Sequence, residues 1–514
     1  MASIVHELTL LQERLGWLPE AELRALAERL RVPLHRIESV STFYTHFRRT
    51  PPKKLSIAVC RDLSCWMEGG DKACDALRKR FAGRNDVEIR EVSCIGRCDN
   101  APAGFAGHAT FNVARDDPDR PPHASLTPKR WAADAGDDYG GLRAALAKKD
   151  RDGVVAALKA SGLRGMGGAG FPAGTKWELV KKEAAAPKYV ICNADESEPG
   201  TFKDREVLAS LPHLVIEGMA LGAFAVGSSR GWVFIRHEYE PERQALEQAI
   251  ERATAAGALG RNIFGSGFDF ELEVFVSPGG YILGEETALL ECMEDKRGEP
   301  RNKPPFPGTK GLWDKPTLIN NVETFAHAAG ILKKGLDWWK SLGRPGFPGH
   351  KFISVSGDVA KPGVYLIAMG APLRELLAMA GGMKDGRKLI AIAPGGASSN
   401  FLPPDRLDVP IDFKTLGDAG SMLGSGAAVF VGEGHDLLQV GLNVTRFFRN
   451  ESCGKCVPCR VGSEKAVRLV EEKGVDEALL NELNTTMFQT SICGLGQVAL
   501  GPLLSIIKNF HVRR

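Results

Sequence analysis

Eight of the eleven cysteines are spaced like ligands of iron–sulfur clusters. In the segment ESCGKCVPCR, Cys453, Cys456 and Cys459 form a C-x-x-C-x-x-C run, and Cys493 follows in TSICGLG. Three thiolates at this spacing face one centre, and a fourth from a separate turn completes the ligand set of a [4Fe-4S] cluster. Zinc is the alternative metal, but zinc ribbons usually bring two C-x-x-C pairs. The pattern therefore favours a [4Fe-4S] site.

A second cysteine set lies near the N-terminus. Cys60 and Cys65 are separated by four residues, and Cys94 and Cys98 by three. Two pairs on neighbouring loops suit a [2Fe-2S] cluster, because each pair serves one iron. Zinc, or a site that has lost its metal, is the alternative. The remaining cysteines are predicted to be small buried apolar residues: Cys74, Cys192 and Cys292.

The glycine-rich stretch GLRGMGGAGFPAGTKW, residues 162–177, contains G-x-G-x-x-G at Gly165, Gly167 and Gly170. A Rossmann dinucleotide site needs a strand directly before these glycines. The preceding DGVVAALKASG instead has the periodicity of a helix that ends at Gly162. A mobile surface loop is the plain alternative, but backbone N–H groups freed by glycines favour the binding of an anion. We therefore predict a phosphate-binding loop that is not a Rossmann fingerprint.

Composition limits the possible classes of protein. The 514 residues suffice for about three or four domains, and 43% hydrophobic with 25% charged residues excludes a largely disordered chain. The net charge of +3 gives no overall indication of nucleic acid or an anionic membrane. MASIVHELTLLQERLGWLPE lacks the pattern of a signal peptide, and no apolar run is long enough for a membrane span. A cytoplasmic location is expected, where clustered cysteines hold metal more often than they form disulfides.

Patterning divides the chain into α/β and helical units. LSIAVC and VEIREVSC indicate strands in a small α/β unit near the N-terminus. YVICNA, GWVFIRHE and LEVFVS indicate strands in a larger α/β unit, and KFISVSGDV indicates a strand in the β-rich unit that follows it. The predicted units are an N-terminal helical segment 1–50, a small α/β unit 51–111, a linker 112–138, a large α/β unit 139–345, a β-rich unit 346–433 and a helical unit 434–514.

Several motifs, in order, resemble the flavin-bearing, NADH-oxidising subunit of respiratory complex I and its relatives. They are the glycine-rich stretch, CNADESEPGTFKDR (192–205), YILGEETALLE (281–291), KPPFP (303–307), NNVET (320–324) and ESCGKCVPCR. Residues 1–110, ending in SCIGRCDNAPA, resemble the thioredoxin-like [2Fe-2S] subunit of the same complexes. The resemblance implies an α/β, multidomain chain: N-terminal helices with a thioredoxin-like domain, a Rossmann-like FMN domain, a ubiquitin-like β-grasp domain and a helical bundle with an iron–sulfur cluster.

The resemblance also implies cofactors and their residues. Noncovalent FMN would be bound in the 139–345 unit by Gly165, Gly167, Gly168, Gly170, Lys176, Asn193, Asp195, Tyr281, Gly284, Glu285, Asn320, Asn321 and Thr324. NADH would stack over the flavin, with Phe171, Glu198, Glu286, Lys303 and Phe306 as its contacts. No protein acid or base is expected, because cofactors carry the hydride chemistry. Electrons would pass singly to the C-terminal cluster, and the N-terminal cluster would be a holding site.

Three sequence features bear on the wider complex to which the chain belongs. The fused arrangement, the short interval between Cys459 and Cys493 and the sequence SICGLGQ are most similar to the β subunit of cytoplasmic NAD-dependent formate dehydrogenases. This implies a large partner with a molybdenum or tungsten pterin, no nucleic acid and no direct membrane insertion. The diaphorase subunit of an NAD-reducing hydrogenase, a complex I subunit and a flavin-free scaffold are the alternatives. Glu198 and Glu286 would disfavour a 2′-phosphate, so NAD is expected over NADP.

Overall fold

The computed structural model describes residues 3–121 and 126–512, and it has the mixed α/β architecture that the sequence predicts. Three four-stranded sheets are formed by the described residues. The predicted linker 112–138 includes residues 122–125, which lie outside the described ranges.

Three amphipathic helices open the chain. They are α1 (Ile4–Leu15), α2 (Glu20–Leu30) and α3 (Leu34–Phe43). Their apolar faces share one core with the C-terminal helices, so the two ends of the chain pack together. Ser3 Oγ donates to Asp295 Oδ1 at 2.7 Å, and Tyr44 Oη donates to the Lys296 carbonyl at 2.7 Å. These contacts fix the helices against the large α/β unit.

The thioredoxin-like sheet carries the N-terminal cysteines at its strand ends. Its elements are β1 (Leu55–Cys60), α4 (Leu63–Met67), α5 (Gly70–Arg80), β2 (Val87–Val92), β3 (Ala103–Ala106) and β4 (Ala109–Asn112). The strand order is β2-β1-β3-β4, with β1 parallel to β2 and antiparallel to β3. Because β1 and β2 are parallel, Cys60 at the end of β1 and Cys94 just after β2 lie at the same end of the two strands. The β3–β4 hairpin was not predicted from the sequence.

The large α/β unit is built on a parallel sheet in the order β7-β6-β5-β8. Its strands are β5 (Tyr189–Ala194), β6 (Arg230–Arg236), β7 (Glu271–Ser277) and β8 (Thr317–Asn321). Its helices are α6 (Gly140–Lys148), α7 (Arg151–Ser161), α8 (Ala173–Lys182), α9 (Lys203–Ser210), α10 (Pro212–Val226), α11 (Glu240–Ala255), α12 (Glu286–Met293), α13 (Val322–Lys334) and α14 (Leu336–Ser341). Three strands coincide with the predicted runs, and β8 was missed.

Helix α10 is apolar on all sides, and every residue in it except His213 is buried. Among the described residues, no single helix is both long and apolar enough to cross a membrane. One pair of helices, α9 with α10, meets these criteria of length and composition together, but the two are bent by 94° relative to each other.

Two smaller units complete the chain. The β-grasp unit contains β9 (His350–Gly357), β10 (Gly363–Ala368), α15 (Leu373–Met379), β11 (Leu389–Ala393), α16 (Phe413–Asp418) and β12 (Ala427–Gly432). Its sheet order is β10-β9-β12-β11, with the central strands β9 and β12 parallel. The C-terminal bundle contains α17 (Leu437–Asn450), α18 (Val457–Lys473), α19 (Glu477–Thr490), α20 (Gly494–Val498) and α21 (Gly501–Phe510).

Candidate cofactor-binding sites

The four C-terminal cysteines line one cavity. Cys456 is the N-cap residue of α18, Cys459 lies in its first turn, and Cys493 is the N-cap residue of α20. Apart from Lys455, the rest of the lining is apolar: Ile282, Pro300, Ile492 and Leu495. Burial raises the pKa of the Cys459 thiol to about 11 and that of Cys493 to about 12. Thiolates in this apolar setting need a bound cation to offset their charge, so the cavity fits an iron–sulfur cluster.

The four N-terminal cysteines are all buried, with at most 4% of each residue exposed. Cys94 Sγ and Cys98 Sγ lie 3.5 Å apart. Backbone N–H groups donate to three of the sulfurs: Ala103 to Cys65 at 3.4 Å, Gly96 to Cys94 at 3.5 Å and Gly200 to Cys98 at 3.4 Å. Donors of this kind stabilise thiolates, and the set fits a [2Fe-2S] cluster.

The spacing of the cysteine side chains differs from that of a one-ion site. Within residues 3–121 and 126–512, no three His, Cys, Asp or Glu side chains form a group that could hold a metal ion. A cluster needs a wider set, because its irons and sulfides lie between the thiolates. The cysteines outside both sets are at most 1% exposed, in keeping with small apolar residues: Cys74, Cys192 and Cys292.

The glycine-rich loop connects α7 to α8, so a helix and not a strand precedes it. Its conformation depends on glycine at Gly168, where φ is +134°, and at Gly170, where φ is +63°. The Met166 N–H donates to Thr324 Oγ1 at 2.9 Å. A Cβ atom at Gly167 would lie only 2.9 Å from Asn321 Cβ. The loop is therefore seated on the motif NNVET at the start of α13.

Other predicted flavin contacts meet at the carboxyl edge of the parallel sheet. Asn193 is the last residue but one of β5, and Asn320 and Asn321 are the last two residues of the neighbouring strand β8. Asn193 Nδ2 donates to the Gly284 carbonyl at 2.8 Å, and Lys176 Nζ donates to the Ile319 carbonyl at 3.2 Å. Ligands of parallel α/β sheets bind at this edge. The fold thus brings the loop, the asparagines and Lys176 to one crevice.

Two lysines and two glutamates form a charged group beside this crevice. Lys303 Nζ donates to Glu285 Oε1 at 2.7 Å and to Glu286 Oε1 at 3.1 Å, and Lys176 Nζ lies 3.5 Å from Glu286 Oε2. Burial opposes ionisation of Glu286, but the charges of Lys176 and Lys303 outweigh it and lower its pKa. Phe171 of the glycine-rich stretch and Phe306 of KPPFP are 46% and 59% exposed, so their rings are free to stack on a flat ligand.

Two predicted contacts also join units of the fold. Glu198 is buried, and its Oε1 accepts from the Ser398 backbone N–H at 2.8 Å and from Ser398 Oγ at 2.6 Å in the β-grasp unit. Its role as a nucleotide contact remains a prediction. The Tyr281 N–H donates to Glu451 Oε2 at 2.8 Å, and its ring packs on Phe447 of α17. Tyr281 therefore connects the predicted flavin crevice to the C-terminal bundle.

A buried ion cluster behind the glycine-rich loop was missed in the sequence. Glu323 Oε2 lies 2.9 Å from Lys203 Nζ and 2.8 Å from Lys351 Nζ, and Glu323 Oε1 lies 3.2 Å from His327 Nε2. Lys351 Nζ also donates to the Met166 carbonyl at 3.3 Å. Lys203, Glu323 and Lys351 have no exposed side-chain surface. A lysine directly before the apolar pair of Phe352 and Ile353 in β9 was the available signal.

Replacing Glu323 with glutamine is expected to destabilise the protein by about 3–5 kcal/mol, because it leaves the buried Lys351 without its carboxylate partner, whereas Lys203 keeps its ion pair with Asp204 at 2.6 Å. Urea unfolding followed by tryptophan fluorescence measures this loss. Glu273, whose pair with Arg230 is half exposed, is the matched control, and its glutamine variant should lose less than about 1 kcal/mol. Equal losses in the two variants would contradict the prediction.

Arg236 links the N-terminal cysteines to the motif DESE and was also missed. It ends β6 and is 2% exposed. Its guanidinium donates to the Cys94 carbonyl at 2.8 Å and to the Glu196 carbonyl at 2.5 Å. The Glu196 carboxylate accepts from the Asp204 N–H at 2.8 Å. The two predicted cofactor regions thus share one buried hydrogen-bond network.

Asp195 gives a pH-dependent prediction. Burial raises the pKa of this carboxyl to about 6, although Ser277 Oγ donates to it at 2.9 Å. Between about pH 4 and about pH 6 the folded protein therefore keeps this carboxyl protonated, whereas the unfolded chain has lost the proton. The free energy of unfolding falls as pH rises through this window, because the folded state binds more protons there.

Relative to Asp195→Asn, the wild type should lose about 1.4 kcal/mol of unfolding free energy per pH unit across that window. Urea unfolding of both proteins over the same pH series measures this difference. The exposed Asp137, changed to Asn, is the control and should follow the wild type. A difference that stays constant with pH would contradict the assigned direction.

Four protein families match the chain. They are the Nuo51 FMN-binding domain over residues 158–329, the thioredoxin-like [2Fe-2S] ferredoxin over residues 1–117, the NADH-ubiquinone oxidoreductase-F iron-sulfur binding region over residues 439–513, and the SLBB domain over residues 352–401. The glycine-rich loop, NNVET and the two cysteine sets all fall inside these matches.

Similar proteins are subunits of larger complexes. The NADH-quinone oxidoreductase F 2 subunit of Rhizobium meliloti is 44% identical over 385 residues, covering 74% of this chain and 91% of that protein. The HndC subunit of the NADP-reducing hydrogenase of Solidesulfovibrio fructosivorans is 43% identical over 364 residues, covering 70% of this chain and 74% of that one. A crystal structure of NAD+-reducing [NiFe]-hydrogenase in the H2-reduced state superposes with a TM-score of 0.87 and 30% identity, covering 99% of this chain and 93% of that one.

Proposed function

The chain belongs to the family of NADH-quinone oxidoreductase F subunits. Within this family, we propose that it is the diaphorase subunit of a cytoplasmic NAD-dependent formate dehydrogenase. Its cofactors are FMN, NAD(H), a [2Fe-2S] cluster and a [4Fe-4S] cluster. Its activity is the transfer of electrons between NAD(H), FMN and iron–sulfur centres. The family relationship does not identify the partner, so the partner and its substrate formate are proposed from the sequence.

One observation carries the diaphorase function. The 3-10 turn Tyr281–Gly284 is shared by two sites. Gly284 accepts from Asn193 in the predicted flavin crevice, whereas Ile282 lines the cavity of the C-terminal cysteines. The two sites therefore both border this one short turn. Electrons have a short route from one site to the other.

Each group of side chains has a defined task in this proposal. When bound, FMN supplies the exchange between two-electron and one-electron chemistry. The N–H groups of the glycine-rich loop and the ammonium of Lys176 hold its anionic part. The exposed rings of Phe171 and Phe306 stack on the nucleotide, and Glu286 and Lys303 bind its polar groups. No residue of the chain has to donate or accept the hydride.

The formate dehydrogenase assignment rests on the sequence: both cluster regions occur in one chain, the interval from Cys459 to Cys493 is short, and SICGLGQ follows the last helix of that interval. The second candidate is the diaphorase subunit of an NAD-reducing hydrogenase. It is favoured by the solved hydrogenase structure, which superposes on 99% of the chain.

Anaerobic purification through a tag on this chain, from its native host, tests the assignment. A large partner with molybdenum or tungsten, together with formate-dependent reduction of NAD+, would support formate dehydrogenase. Nickel and H2-dependent reduction of NAD+ would replace it with hydrogenase. A complex without flavin absorbance, unable to reduce ferricyanide with NADH, would overturn the diaphorase function itself and leave a scaffold.

A further inference from the structure

Two serine hydroxyls lie beside Cys459, the most buried cysteine of the C-terminal set. Ser452 Oγ lies 3.2 Å from Cys459 Sγ. The same oxygen accepts from the Gly454 N–H at 3.3 Å, which leaves the hydroxyl hydrogen available for the sulfur. Ser452 therefore occupies the position of a donor to a cluster ligand.

The hydroxyl of Ser491, which follows α19 and lies two residues before Cys493, reaches the same region. Ser491 is 6% exposed, and its Oγ has no hydrogen-bond partner among the described residues. A Cβ atom built on Gly496 would clash with Ser491 Oγ and would lie 2.9 Å from Cys459 Cβ, so both border one small space. A buried hydroxyl without a partner carries an uncompensated desolvation cost. A sulfur acceptor in the adjoining cavity would remove that cost.

Hydrogen bonds to the sulfurs are among the factors that set the potential of an iron–sulfur cluster. Reduction adds a negative charge that is shared by the sulfide and thiolate sulfurs. A donor beside those sulfurs stabilises the reduced form more than the oxidised form. Donors therefore raise the reduction potential, and their removal lowers it.

We propose that Ser452 and Ser491 are positioning residues that donate hydrogen bonds to sulfur atoms of the [4Fe-4S] centre and thereby raise its reduction potential. The proposal rests on the proposed function, because it requires that the four cysteines hold the cluster. It assigns to the two hydroxyls the task of keeping the centre able to accept electrons from the flavin side. Neither hydroxyl is needed as a ligand.

The chain offers a matched control for this idea. Ser463 is also buried and lies one turn after Cys459 on α18, but its Oγ donates to the Cys459 carbonyl at 2.7 Å. Ser463→Ala therefore removes a buried hydroxyl next to the same ligand without removing a donor to sulfur. Ser452→Thr keeps the hydroxyl and serves as the conservative variant.

The experiment is a redox titration, followed by electron paramagnetic resonance, of the [4Fe-4S] signal in the full complex. We expect lower midpoint potentials in Ser452→Ala and Ser491→Ala, with unchanged values in Ser463→Ala and Ser452→Thr. In the double alanine variant, the equilibrium constant for one-electron reduction should fall about tenfold, or roughly 59 mV. Iron analysis of each variant confirms that the cluster is retained.

Potentials that equal the wild type in both alanine variants, with full iron content, would overturn the proposal. So would a fall in Ser463→Ala as large as that in Ser452→Ala, because the effect would then be one of packing. If Ser452→Ala loses its cluster, Ser491→Ala alone decides between these results. A wild-type complex without any [4Fe-4S] signal would instead overturn the proposed function.

Discussion

Replacing Cys456 with serine is expected to abolish reduction of the natural partner by NADH while reduction of ferricyanide continues. The loss should exceed the roughly hundredfold that removal of an outer-shell partner costs at metal sites, because a ligand itself is lost. Cys456 lines the cavity with the other three cysteines, and serine offers an oxygen that binds iron less well than a thiolate does. The predicted flavin crevice borders the turn Tyr281–Gly284 through the hydrogen bond of Asn193 to Gly284 and contains none of the four cysteines, so NADH oxidation by an artificial acceptor should persist.

Steady-state rates with both acceptors, measured on the same preparation, check this separation. Cys74→Ser is the control, since Cys74 is buried but belongs to neither cysteine set. It should retain both activities. Normal partner reduction in Cys456→Ser would show that electrons leave the chain by a different route, and loss of both activities would show that the two sites are not separable.

Replacing Gly167 with valine is expected to weaken FMN binding by about tenfold to a hundredfold. The first added atom would already lie 2.9 Å from Asn321 Cβ, so either the loop or the start of α13 must move. Overpacking of this kind costs about 1–3 kcal/mol, and the displaced groups are those predicted to hold the flavin. Flavin content after gel filtration, and titration of the stripped protein with FMN, measure the change.

A glycine with free space around it controls for the substitution itself. Gly417 in α16 has no atom within 4 Å of its built Cβ position and does not have a positive φ. Gly417→Val should bind FMN like the wild type. Full flavin content in Gly167→Val would place the flavin away from this loop, and the loop would then need another ligand.

Sequence patterns predicted those parts of the fold that repeat locally or stand out by residue type. β5, β6 and β7 are long runs of β-branched and aromatic residues, and the C-x-x-C-x-x-C run indicates its cluster without knowledge of the fold. β8 was missed because its run TLINN is short and ends in asparagines that favour turns. The hairpin of β3 and β4 was missed because each strand has only four residues.

Contacts between distant segments could not be predicted from periodicity. The cluster of Lys203, Glu323 and Lys351 joins three segments that are far apart in the chain, and each residue alone resembles a surface charge. Likewise, the motif around Glu198 indicates a ligand contact, but nothing local indicates its hydrogen bonds to Ser398. Residue type identified the candidates, and only the assembled fold shows which of them face each other.

The burial of the N-terminal cysteines limits the order in which the protein can be made. Gly200 of the large α/β unit donates to Cys98 Sγ, and Arg236 donates to the Cys94 carbonyl. Tyr239 covers Gly96 so closely that an added Cβ would clash with its hydroxyl oxygen. These contacts close the four thiols off from solvent. Insertion of a cluster therefore either precedes the contact between the thioredoxin-like unit and the large unit or requires that contact to reopen.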